Sequence, residues 1–439
     1  MSNTRTEPLA VAINAQLLLG GEAGGAEQFV AGLVHGLGTL DDGPETYVVI
    51  GHWLDPFRLA HLTGPNQRIV PGPSGTNTQR LKRMARRALG PLYLAGRLLW
   101  HAARPEASRS AASPPPEVPE SAGCFKALNV HVVHFPYQNF IRCALPTVYN
   151  PHDLQHLHYP EFFTREQIEW RETVYRAGCN EAAAVVADSH WAKRDIVERY
   201  GISPDKVYAV WPGPATELYP EPTPSTLTQV RRKFRLPDIF ALYPAQTWPH
   251  KNHIRLLEAL ALLRDKDGLA LHVICTGRKN QFWPKIETRL RELRLEQHVR
   301  FPGFVHATEI RALYRMAQFV IFPSLFEGAG LPVIEAFAEG APVACSSAAS
   351  LSEYAADAAL LFDPSCVQGI SQALHRMTSD AGVRAELRAR GAERARLFSW
   401  RRAARIYRAI YRKVADASLT DEDAGLLREA LMLEGGQAQ

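Results

Sequence analysis

The sequence predicts an α/β protein made of two Rossmann-like domains that face each other across a cleft. Three observations lead there. Short apolar runs alternate with helical stretches almost throughout, the pattern of parallel strands covered by helices on both faces. A Pro-, Ser- and Thr-rich segment over 219–238 interrupts the alternation near the middle and reads as a linker running into a short helix. The length of 439 residues also exceeds what one ordinary domain needs.

The first series places strands at 11–14, 47–51, 130–135, 147–149 and 184–188, with a helix over about 26–40 between the first two. The second places strands at 240–244, 270–276, 299–302, 319–323 and 342–346, separated by helices at 252–264, 283–294, 307–316 and 332–338. These strand runs are short and mostly apolar, as strands buried on both faces require. The domain plan is therefore 1–218, a linker over 219–236, a second domain over 237–397, a helix over 398–415 and a tail over 416–439. Two such halves place a ligand cleft at the carboxyl ends of both sheets, where open α/β sheets bind.

Composition narrows the class. With 46% hydrophobic and 22% charged residues the chain can bury large cores, which excludes global disorder. Fifty basic against 45 acidic residues leave a formal charge of +5, too balanced for a nucleic-acid binder. The six cysteines (Cys124, Cys143, Cys179, Cys275, Cys345 and Cys366) lie far apart, without a CxxC pair. That spacing opposes a disulfide framework or a thiolate zinc site and suits a reducing compartment. The first sixteen residues lack the apolar stretch of a secretory signal, and no uncharged apolar run is long enough to span a bilayer. A soluble, cytoplasmic protein is expected, with a place on the inner membrane surface left open.

One segment breaks the rhythm. Within an insertion over about 71–123, residues 79–104 hold seven basic side chains and no acidic one, interleaved with Leu81, Leu89, Leu92, Tyr93 and Trp100 among other apolar residues. It is either a basic amphipathic insertion touching an anionic membrane or a lipid-linked acceptor, or a surface helix whose arginines are merely solvated. The Ser- and Pro-rich stretch 107–121 after it reads as a flexible loop.

The most informative stretch is FVIFPSLFEGAGLPVIEAFAEGAPVACSS at 319–347. A strand ends near Pro323, a glycine-bearing loop follows, and a helix begins around Leu331 with Pro332 in its first turn. Gly328 and Gly330 let the backbone approach a ligand, and the first N–H groups of the helix, at Gly330 and Leu331, make an anion site suited to phosphate. Glu327 and Glu335 bracket that site. A carboxylate accepts two hydrogen bonds side by side and so matches a vicinal diol. A diol on each side of a diphosphate describes a nucleotide sugar.

The run Glu327-Gly-Ala-Gly-Leu-Pro-Val-Ile-Glu335 resembles the E-x7-E signature of the family 4 retaining glycosyltransferases, which have the GT-B fold. Pro323 and Ser324 before it, Gly340-Ala-Pro342 after it, and the later Glu353 and Asp363-Pro364 agree with that family. The resemblance runs from Asn14 to about Tyr411. It implies that Glu327 binds the donor sugar hydroxyls and that Glu335 holds the nucleotide ribose. Ala329 stands where the family has Phe between the loop glycines.

Further positions follow from the same resemblance. Lys251, in Tyr243-PAQTWPHKNHIRLLEAL, is similar to the lysine that meets the donor diphosphate, which a fixed cation can neutralise without a metal. Gln246 stands where family members often carry an arginine. Gly24 and Gly25 match the GG-x-E segment that approaches the donor phosphate. His152, with Asp153, matches the HD pair whose histidine contacts the donor sugar. Phe304 and Val305 match positions that contact the nucleobase, and the basic helix after Ser399 resembles one that crosses back onto the first domain. Arg278 either reaches a phosphate or covers surface.

His152, His156 and His158 suggest a metal site, but no HExxH pattern is present. His156 and His158 are read instead as loop residues shaping acceptor contacts. Asp265-Lys266-Asp267 resembles a metal-binding Asp-x-Asp pair, yet it lies between a helix and a strand, at the wrong end of the sheet, and Asp-Gly is an ordinary turn signal. The expectation is a metal-independent hexosyltransferase without cofactor, taking a nucleoside-diphosphate sugar, with GDP-mannose the first guess, to a glycan or lipid-linked acceptor in polysaccharide or lipopolysaccharide synthesis. The alternatives are a nucleotide-sugar epimerase on the same architecture and a non-catalytic sugar-nucleotide binder.

Overall fold

The computed structural model describes residues 8–16, 24–73, 116–121 and 123–432. The basic segment 79–104 and the glycine-rich residues 20–23 lie outside the described residues.

Two parallel sheets dominate. The first contains β1 (Ala10–Ala15), β2 (Thr46–Gly51), β3 (Gln67–Pro71), β4 (Val132–Phe135), β5 (Thr147–His152), β6 (Ala184–Ala187) and β7 (Val207–Ala209), in the order β3-β2-β1-β4-β5-β6-β7. The second contains β8 (Ala241–Pro244), β9 (Val273–Thr276), β10 (Val299–Gly303), β11 (Phe319–Phe322), β12 (Val343–Ser346) and β13 (Ala359–Phe362), in the order β10-β9-β8-β11-β12-β13. Every pairing within these sheets is parallel. The strand order reverses direction at β1/β4 in one sheet and β8/β11 in the other, which are the switch points that open a crevice at the carboxyl end.

β3, β7 and β13 were not expected from the sequence. β7 has three residues, and β3 and β13 are edge strands whose partly exposed residues blur the apolar signal. The linker becomes a helix at Pro224–Lys233, with Thr223 capping its start and Pro224 in its first turn. The predicted tail also differs. Asp421–Leu431 is a helix opened by a capping box between Thr420 and Asp423, and it packs on the helix Trp400–Val414.

The helix Trp400–Val414 follows the second sheet in sequence but packs on the first. Trp400 lies fully buried against the helix Gly25–Gly38, where a Cβ on Gly32 would fall 1.9 Å from its ring and one on Gly36 would fall 2.4 Å from its carbonyl oxygen. Only glycine at these two positions lets the helices approach that closely. Tyr411 hydrogen-bonds His134 at 2.7 Å, and Asn150 donates to Tyr407 at 2.8 Å. Arg412 pairs with both Glu45 and Asp423 at 2.7 Å in a buried network. The crossing is thus fixed by packing and by buried polar pairs together.

A second set of contacts joins the two sheets' units close to the cleft. The carboxylate of Glu353, on the short helix Leu351–Ala355, accepts from the backbone N–H groups of His190 (2.9 Å) and Trp191 (2.8 Å) and from the indole of Trp211 (2.6 Å). It thereby caps the helix His190–Tyr200 of the other unit, satisfying donors that a helix start leaves over. Ser189 donates to the carbonyl of Gly328 at 3.1 Å, and Tyr354 donates to the carbonyl of Asp188.

Candidate active site

A cavity of about 1160 Å³ opens between the facing carboxyl ends of the two sheets. Its walls include the start of the helix after β1 and the segments after β5, β6, β8, β9, β10 and β11.

The loop after β11 brings Glu327, Gly328 and Ala329 to the wall, and the helix Leu331–Ala338 continues it. Gly328 is forced by close approach, because a Cβ there would lie 2.7 Å from the carbonyl oxygen of His152. Gly330 caps the helix and packs against Tyr354 rather than lining the cavity. Among the described residues no partner is found for the backbone N–H of Gly330 or Leu331. Ser324 is fully buried beneath this loop and does not line the cavity, which corrects its expected place in the substrate site. The strand ends at Phe322, one residue before the expected end, and the buried run continues through Pro323 and Ser324.

Glu335 lines the cavity from the first turns of that helix, and Tyr314 donates to its Oε2 at 2.7 Å. Burial pushes its carboxyl up to about 7, against the opposing hydrogen bonds from Tyr314 and the Ala215 N–H. Glu327 pairs with Lys251, Nζ to Oε1, at 2.6 Å. Lys251 is held by its own backbone: Tyr243 donates to the Lys251 carbonyl, and Asn252, in the left-handed region at φ 62°, anchors its side chain on the carbonyls of Pro323 (3.0 Å) and Pro364 (2.8 Å). Asn252 therefore locks the β8 loop to the end of β11, a role no sequence signal marked beyond its place before a helix.

On the facing wall, His152 has φ 64° and is buried. Its Nδ1 contacts Asp188 Oδ2 at 2.8 Å and its Nε2 the carbonyl of Pro136 at 3.1 Å. Burial alone would depress the imidazole, but the charge and hydrogen bond of Asp188 outweigh it and raise the group above its usual range. With both ring nitrogens facing oxygen acceptors, His152 is suited to hold positive charge at the cavity wall and unsuited to act as a base. Asp188, directly after β6, was not foreseen as a site residue; a carboxylate ending a buried apolar run was the signal available for it.

Gly24 and Gly25 open the helix Gly25–Gly38 at the same cavity, with Gly24 at φ 54° and the amide of Gln246 beside it. Arg278, Phe304 and Val305 line the far end, where the Arg278 guanidinium lies 5.5 Å from the Phe304 ring centroid and that ring is 58% exposed. The cavity thus collects Glu327, Lys251, His152, Glu335, Gly328, Leu331, Gly24, Gly25, Gln246, Arg278, Phe304 and Val305.

His156 and His158 are not among its lining residues, which corrects their expected acceptor role. His156 is buried with Nε2 on Glu172 at 2.8 Å, and His158 is bound to Asp195 at 2.8 Å and packed on Phe326. Carboxylates on the two neighbouring helices, out of view in the sequence, turn both side chains inward. Asp265 and Asp267 sit in the last turn of the helix His253–Asp267, which ends at Gly268 with φ 66°. No group of three or more His, Cys, Asp or Glu side chains able to hold a metal occurs among the described residues. Nor is any helix among them long and apolar enough to cross a membrane.

Comparison with known proteins gives this geometry a family. Residues 228–398 match the glycosyl transferases group 1 and residues 99–218 match Glycosyltransferase Family 4. Each half of the chain thus resembles a glycosyltransferase family. O-antigen chain mannosyltransferase B of Escherichia coli is 28% identical over 254 residues, covering 57% of this chain and 65% of that protein. D-inositol 3-phosphate glycosyltransferase of Corynebacterium aurimucosum is 30% identical over 263 residues, covering 57% of this chain and 62% of that protein. The chain thus spans less than two thirds of the length of these curated relatives. Anabaena HepE, solved in complex with UDP and glucose, superposes with a TM-score of 0.63 over 93% of this chain and 100% of its own, at 17% identity. That likeness is one of fold, and the fold is GT-B.

Proposed function

We propose that the chain is a retaining, metal-independent glycosyltransferase that moves a hexose from a nucleoside-diphosphate sugar to a hydroxyl acceptor. GDP-mannose is the leading donor, in keeping with the mannosyltransferase among the relatives, and cell-surface polysaccharide or lipopolysaccharide synthesis is the setting. One observation carries the reading. Glu327, Lys251 and the start of the Leu331–Ala338 helix meet in one cavity with Glu335 a turn away.

Each part has a chemical task. The helix start and Lys251 take the diphosphate. The Lys251 ammonium has three donors, so one stays on Glu327 while another meets a phosphate oxygen. Glu327 is thereby aimed and accepts hydroxyls of the donor hexose. Glu335 accepts the ribose hydroxyls, and Phe304 offers a face for the base. The sugar C1–O bond to the diphosphate breaks while the acceptor oxygen bonds C1 on the same face. The acceptor's proton passes to the departing diphosphate oxygen, whose charge Lys251 and the helix amides stabilise. The imidazole of His152, whose proton affinity Asp188 raises, lines the same cavity.

The test is a donor panel of UDP-, GDP-, ADP- and dTDP-sugars, each incubated with and without neutral glycoside acceptors. Glu327→Ala should abolish transfer, a loss of about a hundredfold or more, while circular dichroism and the melting temperature stay near wild type. Unchanged turnover in that variant refutes the assignment, and an isomerised donor formed without acceptor favours the epimerase instead.

A further inference from the structure

At about 1160 Å³ the cavity exceeds the roughly 300–1,000 Å³ of ordinary small-molecule sites, and its two walls differ in kind. The wall below the second sheet holds Lys251 and Arg278, the cations a diphosphate needs. The opposite wall carries an aromatic corner. Phe162 and Phe163 close the turn before the helix Arg165–Glu181, and Glu166, Gln167, Trp170 and Arg171 face the cavity from that helix's first turns. The spacing 166, 167, 170, 171 is one helical face.

Resting on the transferase reading above, we infer that this corner is the acceptor subsite and that it takes an uncharged saccharide ring. Trp170 is 38% exposed, and the Phe162 ring lies parallel to Tyr159 at 5.2 Å, so the corner is a rigid platform. The C–H face of a pyranose stacks on such rings, while Glu166 and Gln167 at its edge take the hydroxyls.

Charge decides against a phosphorylated acceptor. The Arg171 guanidinium lies over Phe163 at 4.6 Å and Tyr175 at 5.4 Å, and Arg58 is paired with Glu27. Among the described residues of this wall, the four acids Glu27, Asp153, Glu166 and Asp188 outnumber Arg58, Arg171 and the raised His152. A phosphomonoester would meet net negative charge.

The experiment uses the full chain with the UDP-, GDP-, ADP- and dTDP-sugars of the donor panel, beginning with GDP-mannose. Donor binding is titrated first, and transfer is then followed to neutral aryl glycosides of mannose, glucose, galactose and N-acetylglucosamine and to the 6-phosphates of the same sugars. The expected result is transfer to a neutral glycoside, with the phosphates poorer by about tenfold or more. Trp170→Ala should raise the acceptor KM by about tenfold or more and leave the donor Kd within about twofold, and Trp170→Phe should restore most of the loss. Preference for a sugar phosphate, or an unchanged acceptor KM in Trp170→Ala, overturns the subsite. A wild-type chain that binds no nucleotide sugar in the first titration sinks the transferase reading itself, and the subsite with it.

Discussion

Glu335 makes donor affinity depend on pH near neutrality. Its carboxyl is raised to about 7 chiefly by burial, so it is about one-tenth ionised at pH 6 and about nine-tenths at pH 8. A carboxylate accepts from both ribose hydroxyls, whereas the protonated acid gives up part of that capacity. If binding selects the ionised form, the donor Kd should rise about tenfold, or about 1.4 kcal/mol, between pH 8 and pH 6. Calorimetric titration with the intact sugar nucleotide measures this, because its esterified diphosphate does not titrate in that window. Glu335→Gln should bind more weakly at pH 8 and show a flattened profile, which separates Glu335 from the elevated His152. A wild-type Kd that is flat from pH 6 to 8 refutes the reasoning. The stability sign runs with the raised carboxyl: its folded-state advantage is full below the usual glutamate range and is lost as pH rises through about 7. Glu335→Gln should accordingly melt higher than wild type at pH 8.

Two other substitutions probe how the cleft is held. Glu353→Ala leaves the His190 and Trp191 N–H groups and the Trp211 indole without their shared acceptor; a cost of about 2–4 kcal/mol is expected, read as a lower melting temperature by calorimetry, and an unshifted melt would show that this cross-unit cap holds nothing together. Trp400→Ala empties the space against Gly32 and Gly36 and should cost about 3–5 kcal/mol, seen as a lower urea midpoint. A midpoint equal to wild type would mean that the closing helix does not depend on that contact.

Much of the framework was readable in the chain. The alternation of apolar runs and helical stretches located ten of the strands now seen, because a strand buried on both faces must be continuously apolar whichever neighbours it acquires. Glu327, Gly328 and Glu335 were legible for a related reason: a glycine-bearing turn, an early proline and flanking carboxylates constrain local backbone, and local backbone is what a short sequence window encodes. The edge strands β3 and β13 were not, since partial exposure mixes polar residues into their runs. The Thr420–Asp423 capping box was present in the sequence and marked a helix where a tail was expected.

Pairings between distant segments belong to the other category. Glu353 capping a helix 163 residues away, Asp188 fixing His152 and Tyr314 reaching Glu335 all join residues whose separation in the chain carries no periodic signal. His156 and His158 show the same limit from the other side, for each looked available until a carboxylate from a neighbouring helix claimed it. The sequence by itself determined where the backbone turns and which groups stand at those turns, through short-range sterics and hydrophobic period. The tertiary structure decided which groups are buried, paired and charged, because desolvation and Coulomb energies depend on distance in space and not on distance along the chain.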